Sequence, residues 1–372
     1  MRASRARGPP LRIAQLAPTY ERVPPHTYGG TELVVSLVTD GLVRRGHEVT
    51  LYATRDSLTD ARLEGPVDRR YRYGADDDGV RHAEHAHLAN VQAALRDAVD
   101  GRFDVIHNHA GLEGIALAAW SRTPVLTTTH NAWTDVGAAI WDAYPWAHHQ
   151  LSAAQATAFP SRGRLAPVHH GIDLDRYAPR TRPAEPDAPL VFLGRFTPAK
   201  GADVAVEVAR RTGRRLLLAG KVDNGDRPWF QAQVEPLVDG DHIRIVGEVD
   251  EPAKAKLLAD AVGLLFPIAW DEPFGLVVVE ALAAGTPVIG MRRASVPELI
   301  EHGETGFVVD DADAMVRAVD QLDVIDRGQC RRAAERRFGV DRMLGELEDR
   351  MRETIDRGAT GRILGPVAEP VG

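Results

Sequence analysis

The sequence predicts an α/β chain made of two doubly wound, Rossmann-like domains facing each other across a cleft. Three observations predict it. The chain has 372 residues, more than one hydrophobic core usually fills. Short apolar runs alternate with segments of helical periodicity, the signature of parallel strands joined by right-handed crossovers. The alternation comes as two series of similar size, parted by TRPAEPDAP at 181–189, a stretch rich in proline and charge.

The first series opens with LRIAQLA (11–17) as a strand. TELVVSLVTDGLVRR (31–45) follows with apolar residues at helical spacing and stops at Gly46. HEVTLYA (47–53) is the next strand, residues 84–99 a helix, and FDVIHNH (103–109) and PVLTTTH (124–130) two more strands. The second series runs LVFLG (190–194), a helix from GADVAVEVARR, RLLLAG (215–220), IRIVG (243–247), a helix from PAKAKLLADA, and GLLFPIA (263–269). A helix from FGLVVVEALAAG, then PVIGM (287–291) and GFVVD (306–310), complete it. Residues 311–357 read as charge-rich helices. The expected division is a first domain over 11–168, a linker over 169–189, a second domain over 190–345, and a C-terminal helix and tail over 346–372.

Bulk composition narrows the function. Hydrophobic residues make up 44% and charged residues 26%, as in a globular protein with a sizeable core. Lys and Arg number 45 against 53 Asp and Glu, a net charge of -8, which argues against a general nucleic-acid binder but leaves room for a local basic pocket. Cys330 is the single cysteine, so no internal disulfide forms, which fits a reducing compartment. The basic start MRASRARGPP leads into no signal-like apolar segment, and no run of about 18 apolar residues exists. The expectation is a cytoplasmic protein without a membrane span. The basic tail is read as a frayed end, with peripheral contact to an anionic membrane left open.

Ligands of doubly wound sheets bind at the carboxyl ends of the strands, and the polar residues of this sequence gather there. The loop YGGTE (28–32) follows the first strand. Gly29 and Gly30 allow close backbone approach, and the helix that starts there offers free N–H groups to a phosphate. A plain turn capped by Thr31 explains the same residues equally well. The loop GRFTPAKG (194–201) places Arg195 and Lys200 after the first strand of the second domain, a fork and a point charge suited to a diphosphate.

The most informative stretch is AWDEPFGLVVVEALAAG (269–285). The amides of Gly275, Leu276 and Val277 precede the helical ladder and can meet the same diphosphate. Asp271 and Glu272 sit at the helix mouth, where acids also complement the dipole. Glu280 lies within the apolar run, where an unpartnered carboxylate is costly, so it has a polar partner or awaits a sugar hydroxyl. On the first domain's edge lie His107, Asn108, His109, His130 and Asn131. No zinc set is completed there, which leaves acceptor or sugar contact for His109 and His130 and a structural place for His107. His148, His149, His169 and His170 lie outside the predicted strand ends and receive no role. Arg292 and Arg293 are either donor-site or surface cations, and the DDD run at 76–78 reads as a solvated loop.

Taken in order, YGGTE, GRFTPAKG, EPFGLVVVE and ELIEHGETGFVV make nearly the whole chain resemble the retaining nucleotide-sugar glycosyltransferases of family 4, which have the GT-B fold. Glu272 followed by Glu280, with Arg195 and Lys200 upstream, is the most specific element. The resemblance implies a donor that is a UDP-, GDP-, ADP- or dTDP-sugar, no cofactor, and no metal. It implies that Arg195 and Lys200 hold the diphosphate, with Gly29 and Gly30 approaching it from the other domain. Glu272 then contacts the transferred sugar, Glu280 the ribose, and the GEVDE loop at Val249 the base. His130 lies beside the sugar and His109 near the acceptor. The PPHTYGGTE form of the first loop is similar to a subgroup that includes antibiotic-oligosaccharide transferases. HHGID (169–173) departs from the family's Pro-Asn-Gly form and is read as interdomain structure. Two alternatives stay open: a nucleotide-sugar-binding protein without turnover, and a sugar-nucleotide epimerase of the same architecture.

Overall fold

The computed structural model describes residues 7–26, 29–69 and 77–359, with the backbone alone at 77–81 and 136. The basic tail 1–6, Tyr28 of the first loop, Asp76 of the acidic run and residues 360–372 lie outside the described residues. The chain divides into two units. The first holds the residues up to Gly171 and those from Val340 onward, and the second holds Ile172–Gly339.

In the first unit the strands are β1 (Arg12–Leu16), β2 (Glu48–Tyr52), β3 (Arg62–Glu64), β4 (Val105–Asn108), β5 (Val125–Thr128) and β6 (Ala147–His149). They lie in the order β3-β2-β1-β4-β5-β6, every pair parallel. In the second unit they are β7 (Leu190–Leu193), β8 (Leu216–Ala219), β9 (Ile243–Gly247), β10 (Gly263–Phe266), β11 (Val288–Met291) and β12 (Gly306–Val309). Their order is β12-β11-β10-β7-β8-β9, again all parallel. The two windings are the same. The chain steps outward from the middle strand, returns beside it, and steps outward the other way. The reversal leaves a crevice at the carboxyl ends of β1 and β4 in one unit and of β7 and β10 in the other.

The inner strands are short and mostly apolar because both faces are covered. β10, GLLF, and β12, GFVV, are buried at every position. β4 departs from this rule: VIHN is equally buried yet carries His107 and Asn108. Buried polar side chains need partners, and those partners form the site of the first unit.

Three expectations change. The helix expected over 84–99 begins at Asp77, so the acid run opens a helix instead of lying in a loop. Acids in a first turn complement the helix dipole. His148 and His149, placed outside any strand end by the sequence, lie in β6 and its end. The expected boundaries at 168, 189 and 345 give way to breaks after Gly171 and Gly339. The proline-rich stretch belongs to the second unit, and the whole helix Val340–Ala359 returns to the first.

The return helix is fixed by a buried carboxylate. Glu348 is fully buried and accepts hydrogen bonds from Arg45 Nη1 at 3.2 Å and from the Arg7 backbone amide at 3.0 Å, with His47 Nε2 at 2.9 Å. Burial opposes its charge, but these partners outweigh burial and hold its pKa below the ordinary value.

Candidate active site

In the second unit the loop after β7 is shaped by a 3-10 turn, Pro198–Lys200. Thr197 caps it, its hydroxyl accepting from the Lys200 amide at 3.2 Å. Gly201 then takes φ 72°, and a Cβ there would come within 2.2 Å of the Pro267 carbonyl. This close approach seats the loop after β7 against the loop after β10, which brings Lys200 to Glu272. We expect Gly201→Ala to cost about 1–3 kcal/mol in strain and to weaken ligand binding at Lys200, read by urea unfolding and nucleotide titration. Wild-type stability and affinity would contradict this.

The Lys200 ammonium pairs with Glu272 Oε2, both side chains being mostly buried at 16% and 13% exposure. Trp270 Nε1 donates to the same oxygen at 2.8 Å, and the ammonium stands 4.9 Å from the centre of the Trp270 ring. Sequence reasoning missed Trp270, whose signal was a tryptophan two residues before Glu272. Ser295 Oγ lies 2.9 Å from the Glu272 carbonyl and 2.6 Å from that of Phe274, bracing the turn. Arg293 donates to the Ala269 carbonyl and reaches Asp271 at 3.5 Å, while Arg292 pairs with Asp310 at 2.8 Å.

Behind this turn Gly275 adopts φ 100°, and the helix Leu276–Ala283 begins. Its first rung is the Val278 amide donating to the Gly275 carbonyl at 3.0 Å. The amides of Gly275, Leu276 and Val277 therefore stand ahead of the ladder, at the positive end of the dipole. Arg195 pairs with Asp223 at 3.3 Å, and Lys221 pairs with the other oxygen of Asp223 at 2.9 Å. Arg195 and Lys200 thus share the loop after β7, each set against a carboxylate. Val249 is half-buried in the loop between β9 and the helix Glu251–Asp260, which Asp250 caps.

Glu280 resolves the question its position raised. It is buried at 3% exposure, and Lys254 Nζ donates to its Oε1 at 2.7 Å. Lys254 also reaches Glu251 at 2.6 Å. Burial works against the Lys254 charge, but Glu280 and Glu251 outweigh it and hold its pKa above the ordinary value. Tyr177 hydrogen-bonds Glu280 as well, and burial, then that carboxylate, push the phenol up. The carboxylate has partners in the fold, so its burial alone does not point to a ligand.

In the first unit, the helix Gly30–Arg44 starts directly after Gly29, so Thr31 is not its cap. A Cβ on Gly29 would stand 2.8 Å from Pro25. Glu32 is buried in the first turn; burial, with Glu21 adding to it, raises its pKa to about 7.

The histidines converge at the carboxyl edge of β4, β5 and β6. Alternation puts Gln15, His107, His109, Thr128, His130 and His149 on one side of the sheet, since register pairs Gln15 with His107 and Thr128 with His149. His109 Nδ1 lies 2.7 Å from His130 Nε2, and its Nε2 lies 2.9 Å from the Gln15 amide. The His170 ring stacks on His130 at 5.2 Å. Gln155 donates to the Thr129 and Asn131 carbonyls at 3.0 and 2.8 Å, clamping the backbone on both sides of His130. Sequence reasoning gave His107 a structural place and His149 and His170 no role. The alternation HNH, TTTH and HHQ on three adjacent strands was the signal for His107 and His149, while His170 lies beyond β6 in HHGID. Among the described residues no group of three or more His, Cys, Asp or Glu gathers as metal ligands.

Burial, and then neighbouring rings or arginines, depress these imidazoles. His130 falls to about 3 and His148 and His149 to about 4, while His107, His109 and His170 fall well below the ordinary value. The unfolded chain therefore binds more protons below pH 6.5 than the folded one, and stability is lost as pH falls from about 6.5 towards 4. Glu32 acts oppositely, its raised pKa making stability fall as pH rises from about 4.5 to 7. Six histidines outweigh one carboxyl, so the melting temperature is expected to drop steeply below pH 6.5. A flat profile from pH 7 to 5 would contradict this.

Residues 28–176 match the family model Glycosyltransferase Family 4, and residues 175–336 match Glycosyl transferases group 1. A phosphatidyl-myo-inositol mannosyltransferase of Mycolicibacterium smegmatis is 26% identical over 365 residues, covering 88% of this chain and 89% of its own. A D-inositol 3-phosphate glycosyltransferase of the same organism is 28% identical over 353 residues, covering 80% and 79%. Among solved structures, AviGT4, a glycosyltransferase involved in avilamycin A biosynthesis, superposes with a TM-score of 0.69 at 27% identity, covering 95% of this chain and 99% of that one. HepE of Anabaena, in complex with UDP and glucose, shares the fold with a TM-score of 0.71 at 17% identity, covering 92% and 100%.

Proposed function

We propose, for a chain that belongs to the family 4 glycosyltransferases and has the GT-B fold, that it moves a sugar from a nucleoside-diphosphate sugar to an acceptor hydroxyl with retention and without a metal ion. The observation that carries this is the convergence at the β7–β10 crevice. Lys200, Trp270, Glu272 and the helix start at Gly275 meet there, with Arg195 on the same loop.

The chemistry follows from charge. As the bond from the sugar's anomeric carbon to the phosphate oxygen breaks, its electron pair leaves on the diphosphate. Arg195, Lys200 and the amides of Gly275, Leu276 and Val277 receive that charge. These groups are held in place before reaction, which is what makes such stabilisation effective. The acceptor oxygen bonds the same face, and its proton passes to the departing phosphate oxygen. Glu272 orients the sugar through its hydroxyls once the phosphate takes Lys200 from it. In this reading Glu280 holds the ribose while Lys254 neutralises it, and Val249 lies against the base. His130 touches the transferred sugar, with His109 behind it towards the acceptor. Gly29 and Gly30 let backbone approach the diphosphate. The acceptor is a hydroxyl of a glycan, a lipid-linked sugar or a small polyol; two relatives are named for inositol-based acceptors.

The test is incubation with a panel of nucleoside-diphosphate sugars, with and without polyol acceptors, following nucleoside diphosphate release and the product anomer by proton NMR. One donor is expected to turn over with its anomeric configuration kept. An inverted product would overturn retention, and nucleotide binding without release from any donor would favour a binding protein.

A further inference from the structure

The histidine network has a direction, because one end is a backbone carbonyl, which can only accept. His149 Nδ1 lies 3.2 Å from the Gln150 carbonyl, so Nδ1 carries the proton. Every ring in the cluster is neutral near pH 7, since burial first and neighbouring groups second depress its pKa. His149 Nε2 is then bare and accepts from the Thr128 hydroxyl at 2.7 Å. That hydroxyl has spent its one proton, so it accepts from His107 Nε2 at 2.7 Å. His107 Nδ1 is bare in turn. It faces His109 Nε2 at 3.3 Å, and two bare nitrogens would repel, so His109 Nε2 carries the proton. His109 Nδ1 then accepts from His130 Nε2 at 2.7 Å.

At Gln15 this requires the amide oxygen, not the nitrogen, to face His109 Nε2; the two ends have the same shape.

We propose that the Gln150 carbonyl sets the tautomer of His130 through five successive hydrogen bonds, via His149, Thr128, His107 and His109, making Thr128 and His149 positioning residues for sugar transfer. The relay holds His130 with a proton on Nε2 and a bare Nδ1. A bare Nδ1 accepts a hydrogen bond from a sugar hydroxyl, and a protonated one repels it. Use of this acceptor rests on the reading that His130 touches the transferred sugar. The tautomer itself does not.

The experiment is long-range ¹H–¹⁵N correlation on the full chain with ¹⁵N-labelled histidine, which separates the two tautomers. In the wild type His130 and His109 are expected as Nε2–H forms at pH 7. Thr128→Val removes the hydroxyl at nearly constant shape, and both rings are expected to become tautomer mixtures. With the donor in hand, kcat falls by about tenfold while donor KM stays within about twofold. Thr128→Ser restores both readouts. His130 protonated on Nδ1 in the wild type would overturn the relay, a result that needs no variant to fold. Unchanged His130 resonances in Thr128→Val would overturn it too. The expected tautomers in a chain that transfers no sugar would support the relay and sink only the functional reading.

Discussion

Lys200→Ala lowers kcat/KM by about 2–4 kcal/mol, the size of effect seen when a donor that stabilises developing charge is removed. Three contacts hold Lys200. The Thr197 cap sets its backbone, the Trp270 ring lies 4.9 Å from its ammonium, and Glu272 pairs with it. In the proposed reaction a diphosphate takes the place of Glu272, which keeps the ammonium paired throughout, so little charge is desolvated alone. The variant also leaves Glu272 with Trp270 as its remaining partner of the pair, which disturbs sugar orientation beyond the lost charge. Steady-state kinetics with the identified donor checks this. A near wild-type kcat/KM would remove Lys200 from the diphosphate and with it the reading of the crevice.

Glu348→Ala is expected to destabilise the first unit by about 3–5 kcal/mol, because it breaks a buried ion pair from one side. Arg45, with 4% of its side chain exposed, and the fully buried His47 are left facing an empty position. The effect reaches the site. Arg350 and Arg342 of the same helix act on His149 and His170, and Arg342 donates to the His169 carbonyl at 2.6 Å. Loosening the helix Val340–Ala359 therefore exposes the histidine side of the sheet as well as lowering stability. Chemical denaturation and proteolysis near residue 340 measure it. A loss below about 1 kcal/mol, the size of a surface pair, would contradict the buried carboxylate's role.

The sheet strands were legible because parallel strands buried on both faces stand out as apolar runs bounded by glycine and proline. β3 and β6 were missed: RLE carries no apolar pattern and only pairs at the sheet edge with β2, and AHH is three residues with two histidines at the opposite edge. The cation loop was legible too, because Arg195 and Lys200 sit at a strand's carboxyl end. Glu280 looked unsatisfied because Lys254, its partner, lies 26 residues earlier on another helix. Pairing across elements leaves no trace in local spacing. The histidine relay was invisible for the same reason. It joins β4, β5 and β6 through Thr128, a residue with no chemistry of its own in a linear reading. The return of the C-terminal helix to the first unit rests on Glu348 meeting Arg45 and His47, some 300 residues away.

The proposed function requires that the crevice of the second unit bind a nucleoside-diphosphate sugar through Arg195 and Lys200. The most direct measurement is a thermal-shift panel of nucleoside diphosphates and their sugars on the wild type and on Arg195→Ala. Ligand that binds the folded state raises the melting temperature in proportion to its affinity. One nucleotide sugar is expected to stand out on the wild type, with the shift lost in the variant. No shift with any nucleotide, or an equal shift in Arg195→Ala, would contradict binding through these two cations.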